Sequence, residues 1–224
     1  MNRDSRRAFL TVAGSGALLA ACRKQDDPDV GAVEDLMREH GVIRRILVVY
    51  RLSAQGLRDK LQAVPLDALQ RAATLMQSFG EDYHERKVEE AHLFPMLRKV
   101  GGAGAAEIDT LLAQHQRGRE LTQYVLAACK KGSAAGAEPL ARVLETFCLM
   151  YEEHAAREDT IVFPAWKKAL SAKQLDEMGE LFEAIEQQTF GKDGFEDAVA
   201  KIASIEQAFG LSPAALTAAA PPAS

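Results

Sequence analysis

Cysteine, aromatic residues and long apolar runs are all scarce in this chain. Three cysteines in 224 residues cannot build a disulfide scaffold. Aromatics make up 6% of the sequence, while Ala and Leu dominate, a balance that favours helix over sheet. The apolar stretch at residues 8–21 is too short and too rich in Gly and Ala to span a membrane. Positive charge is not in excess: 27 Lys and Arg against 32 Asp and Glu give a net charge of −5. With no basic stripe, nucleic acid is excluded as an expected partner. No phosphate loop, nucleotide fingerprint or Ser-His-Asp arrangement is present. Histidine is also sparse, with His40, His84, His92, His115 and His154 all lying between residues 31 and 170.

The first 22 residues read as an address and not as part of the fold. A charged start, a short apolar run and small residues before a cut site make a secretory signal. Arg6-Arg7 followed by Phe9-Leu10 resembles the bacterial twin-arginine signal, whose substrates are exported folded, often with a cofactor already loaded. Leu19-Ala20-Ala21-Cys22 resembles a lipobox, which would make Cys22 the acylated mature terminus and anchor the chain to a membrane facing the periplasm or cell exterior. The alternative is a simple cleaved signal with an incidental cysteine. Residues 23–30 form a polar tether. The remaining Cys129 and Cys148 fall about seven residues out of register across their hairpin, roughly 10 Å of helix rise, too far for a disulfide. Both are expected to be small buried hydrophobes.

Four long amphipathic stretches follow, at about 31–61, 66–100, 105–131 and 138–170. They are separated by Pro65, Gly101-Gly102 and Gly132-Ser133, the residues that end helices. No stretch alternates as a strand would. The expected fold is all-α: an up-down-up-down four-helix bundle over 31–170. Additional C-terminal helices are expected near 173–188 and 195–209, within an extension over 171–210, followed by a disordered tail at 211–224.

One phrase occurs twice. His84, Glu89 and Leu93-Phe94-Pro95 answer His154, Glu158 and Val162-Phe163-Pro164, the first copy carrying one extra residue. A histidine and a glutamate one turn apart share a helix face, and that pairing, supplied by two helices of a bundle, is how carboxylate proteins hold a pair of metal ions. The apolar seams agree. The first helix reads Val33, Leu36, His40, Ile43, Leu47, Tyr50; the third reads Ile108, Leu111, His115, Gly118, Thr122, Val125. The fourth reads Leu140, Leu144, Phe147, Tyr151, His154, Glu158, Ile161. A carboxylate in a bundle core is costly without a partner, and histidine on every helix points to a shared cation. The second helix is out of step, since in a straight α-helix His84 and Glu89 stand about 140° apart. A π-bulge near 85–88 would bring them together; otherwise Glu85 or Glu90 takes the place of Glu89. His92 aligns with Ile161 and reads equally as a packing residue or a ligand. Imidazole with carboxylate suits iron, manganese or zinc.

These residues, with Glu39-His40 and Gln114-His115, resemble the hemerythrin-like, HHE cation-binding family over about 31–170. The resemblance implies a four-helix bundle around a non-haem diiron centre. His40, His84, Glu89, His115, His154 and Glu158 would be its ligands, and the two glutamates its bridges. It implies binding or sensing of oxygen, nitric oxide or peroxide, or the handling of iron. The best-known members use five histidines; here four align, and the fifth position falls to His92, to Tyr50 or Tyr151, or to water. A carrier or sensor is expected ahead of a diiron redox enzyme acting on peroxide or nitric oxide, and that ahead of a structural bundle with a vestigial site.

Overall fold

The computed structural model describes residues 30–59, 64–132 and 136–221; the expected export signal with Cys22 and the expected tether through residue 29 lie outside them. Helix α1 spans Ala32–Asp59. The second helix of the bundle is continuous but changes winding: α2 (Leu66–Leu75), a π-wound segment (Met76–Leu93), then α3 (Phe94–Val100). Helix α4 spans Ala103–Lys131. The fourth is also composite, with α5 (Ala137–Arg157), a π turn (Glu158–Val162) and α6 (Phe163–Ala169). Helices α7 (Ala172–Phe190) and α8 (Gly194–Ala208) complete the set. No strand occurs among the described residues, and no helix there is long and apolar enough to cross a membrane.

The four bundle helices pack in a ring: α1 against the second and fourth, α4 against the same two. This is the up-down-up-down arrangement that the short connections demand. Gly101 and Gly102, at φ 78° and 84°, make the turn into α4 in a region closed to most side chains. The seams are buried where the sequence places them. Leu36, Ile43, Leu47 and Tyr50 face Leu140, Leu144 and Phe147 in a core that also takes in Trp166 and Phe163. Cys129 and Cys148 are free and buried. Helices α7 and α8 cover one side of the bundle, α8 against α1 and α2, and α7 against α1 and the long π segment. Phe182 of α7 stacks on Trp166 at 5.9 Å, and Arg45 donates to both carboxylate oxygens of Glu206. Helix α7 opens with a reciprocal cap, in which Ser171 Oγ accepts from the Gln174 N–H and the Gln174 side chain accepts from the Ser171 N–H.

The winding departs from expectation in two ways. The bulge anticipated at 85–88 is an 18-residue π segment, Met76–Leu93, and the fourth helix, expected to be regular, carries its own five-residue π turn. Both end directly before Phe-Pro. A proline inside a helix has no N–H to donate, and its ring presses on the carbonyl four residues back. Winding to i→i−5 ahead of it relieves that pressure. The Phe94 N–H reaches the Glu89 carbonyl and the Phe163 N–H reaches that of Glu158. The extra residue per turn moves the fourth seam by one position, so Val162 is buried where Ile161 was expected.

Candidate metal centre

The bundle brings together all six side chains that the sequence pattern singles out. His40, His84, Glu89 and Glu158 form one group, and His115, His154, Glu89 and Glu158 a second, with the candidate ligand atoms of each group within 4.8 Å of one another. Both groups share the same two glutamates. The imidazoles converge in pairs through Nε2, at 3.1 Å for His40 and His84 and 3.2 Å for His115 and His154. Glu158 lies 3.3 Å from His40 Nε2 and 3.1 Å from His154 Nε2. Glu89 lies 3.6 Å from His84 Nε2 and 3.4 Å from His115 Nε2. In the π winding, the five-residue step from His84 to Glu89 does what the four-residue step from His154 to Glu158 does in an α-helix.

Every imidazole is held from behind. His40 Nδ1 donates to Asp159 at 2.7 Å, His84 Nδ1 to Glu39 at 2.5 Å, His115 Nδ1 to Glu90 at 2.9 Å and His154 Nδ1 to Gln114 at 3.0 Å. With Nδ1 protonated, the Nε2 lone pairs point inward, which is the tautomer a metal requires. The acceptors close a ring around the bundle: α1 braces the second helix, the second braces α4, α4 braces the fourth and the fourth braces α1. Phenylalanines of the repeated phrase complete it, Phe163 stacking on His40 at 5.2 Å and Phe94 on His115 at 5.7 Å. The two halves of the chain are thus copies, His40 answering His115, His84 answering His154, and Glu89 answering Glu158.

The donor set fits a pair of cations. All four carboxylate oxygens of Glu89 and Glu158 are buried without a hydrogen-bond partner, a costly state that bound cations would relieve. The protonation pattern agrees. Burial opposes charge on His40, but its hydrogen bond to Asp159 and the Glu158 carboxylate beside it outweigh that and hold its pKa up at about 9. Burial lowers His115 to about 4 despite its bond to Glu90. Burial, then the charge of Glu158, pushes Glu89 well up; Glu158 is buried too, yet His154 and His40 draw it well down.

The remaining expectations sort themselves by contact. Glu85 accepts from Tyr151 Oη at 2.6 Å and from Arg119 at 3.1 Å, and Glu90 serves His115 Nδ1, which leaves Glu89 as the second-helix carboxylate in both groups. Glu85, Glu90 and His115 also come within 4.8 Å of one another, but the Arg119 guanidinium bonds both acids. His92 is half-buried against Phe182, at 6.4 Å, and joins neither group. Tyr50 is buried with its hydroxyl unpartnered, away from both groups, and Tyr151 reaches Glu85 instead. That reach depends on Gly118, where a Cβ would overlap the tyrosine hydroxyl. The bracing roles of Glu39, Gln114, Glu90 and Asp159 were not read from the sequence. Each is the chain neighbour of a ligand, the step that turns a side chain toward the adjacent helix.

Residues 31–166 match the family described as the Hemerythrin HHE cation binding domain. Two proteins named as uncharacterized, one from Mycobacterium tuberculosis and one from Mycobacterium bovis, are each 40% identical over 227 residues, covering 92% of this chain and 88% of their own. No solved structure matches.

Proposed function

The chain belongs to the hemerythrin HHE cation-binding family, and from that premise we propose that it holds a non-haem diiron centre that binds or senses oxygen, nitric oxide or peroxide, or handles iron. The observation that carries this reading is the set of four unpartnered, fully buried oxygens of Glu89 and Glu158, shared between two pairs of imidazoles. Histidine nitrogen with carboxylate oxygen suits iron, and thiolate is absent from the cluster. A bound pair of irons would supply open coordination positions for a diatomic molecule or peroxide. The protein's part would be to hold the metal with four imidazoles in one tautomer and the two shared carboxylates and to keep bulk water out, since all six side chains are at most 3% exposed.

The test is metal content after iron-replete expression. The expected result is two irons per chain, with His154→Ala losing at least one and leaving Glu158 without its compensating charge. A His154→Ala protein with unchanged iron would overturn the ligand assignment, and wild-type protein with only trace metal would favour a vestigial site.

We further propose that the centre works at the cell envelope, exported through Arg6-Arg7 and anchored by a lipid on Cys22. The support is the order of the sequence signals. The Cys22→Ala protein should move from the membrane to the soluble fraction; retention in the membrane would refute the anchor.

A further inference from the structure

The two halves of the site are copies with one conspicuous break. Glu39 precedes His40 and braces His84; at the matching place, Gln114 precedes His115 and braces His154. The other two braces match in charge and in their surroundings. Asp159 behind His40 is paired with Arg44, and Glu90 behind His115 is paired with Arg119, with both arginines four residues after the histidine concerned. Two carboxylates therefore stand behind the His40 and His84 pair. One carboxylate and one neutral amide stand behind the His115 and His154 pair. Glu39 is also the most deeply placed of the four, at 2% exposure, where an anion acts on a nearby cation with little screening. Glu85 does not restore the balance, because its nearer oxygen is 4.0 Å from His115 Nδ1 and is held by Arg119.

We propose that this single amide makes the two metal positions unequal: the position at His40 and His84 binds first and tightly, and the position at His115 and His154 is the weaker, exchangeable one. The inference rests on the diiron reading above. A carboxylate behind a ligating imidazole raises the basicity of the ligand and fixes its orientation, and loss of such a partner typically costs 10–100-fold in metal affinity. An amide oxygen gives the same orientation without the charge. Gln114 and Glu39 are thus positioning residues that set the order of filling.

Calorimetric titration of the full, metal-free chain with Co2+ reads both steps, and the visible absorption of bound Co2+ reports the geometry at each. Wild-type protein should bind two ions in two resolved steps. Gln114→Glu should tighten the weaker step about 10-fold or more and leave the stronger unchanged. Glu39→Gln should loosen the stronger step by a similar factor. Gln114 is only partly buried, so its substitution leaves the core intact. Gln114→Ala should weaken the second step further, with glutamate, but not alanine, restoring it. His154→Ala should abolish the weaker step alone, which assigns it to that half. Two ions bound with equal affinity, or a gap unchanged in Gln114→Glu, would overturn the inequality and leave the metal centre standing. Failure of wild-type protein to bind any Co2+ or iron would overturn both.

Discussion

Glu81 shows how strongly single residues in this bundle depend on their surroundings. It is buried between helices and accepts from Thr122 Oγ1 at 2.5 Å. Burial, only partly opposed by that bond and by Arg119, raises its pKa from 4.5 to about 7. Between those values the native chain keeps a proton that the unfolded chain has released. Its contribution to stability is therefore whole below the unfolded value of 4.5 and is lost as pH rises through about 7. The full shift corresponds to at most about 3 kcal/mol. Glu81→Gln keeps the uncharged form at every pH, so its urea midpoint relative to wild type should rise between pH 5 and pH 8. A difference that is flat over that range would mean that Glu81 is ionised in the native state. At the scale of residues, the clustered histidines and glutamates were legible because polar groups in an apolar seam demand a reason. Glu81, Glu85 and the four braces were not, because one sequence does not say which neighbour a side chain one position off the seam will meet.

Helix number, order and most boundaries were legible, since Pro65, Gly101-Gly102 and Gly132 interrupt stretches of clear helical period. The observed spans Leu66–Val100 and Ala103–Lys131 differ from the expected ones by at most two residues. The winding was legible only in part. The extra residue between His84 and Glu89 announced a departure from α geometry, but not its length of 18 residues. Nor did anything in the spacing of His154 and Glu158 announce the turn that follows. The shared element is Phe-Pro, which sits at the end of both π segments. The phenylalanine stacks on a histidine of a neighbouring helix, and its N–H closes the last wide turn on the carbonyl of the clustered glutamate. The repeated phrase is therefore a device for setting a helix's phase as well as a pair of ligands, and the two copies reach one geometry by different windings.

For the whole molecule, the centre trades stability for function. Six core positions that could each hold a buried aliphatic side chain, worth about 1.5–3 kcal/mol apiece, hold histidine or glutamate, and both glutamates lack a hydrogen-bond partner. The helices beyond the family-matched segment offset part of this by covering α1, α2 and the long π segment with Phe182, Ala198, Ile202 and Ile205. Bound metal should offset more of it, because an ion that binds only the native state adds about 2.7 kcal/mol per site at a free concentration 100-fold above its Kd. A chain of this length gains roughly 2–4 °C in Tm per kcal/mol. Removing metal with a strong chelator should therefore lower Tm by roughly 5–10 °C for each site emptied, and adding the metal back should restore it. Unequal halves imply a finer result. As chelator strength is raised, Tm should fall in two stages, the first absent from His154→Ala protein because that variant lacks the weaker site. A Tm insensitive to chelation would show that the buried glutamates are stabilised by protons alone, whereas a single concerted fall would show that the two ions leave together.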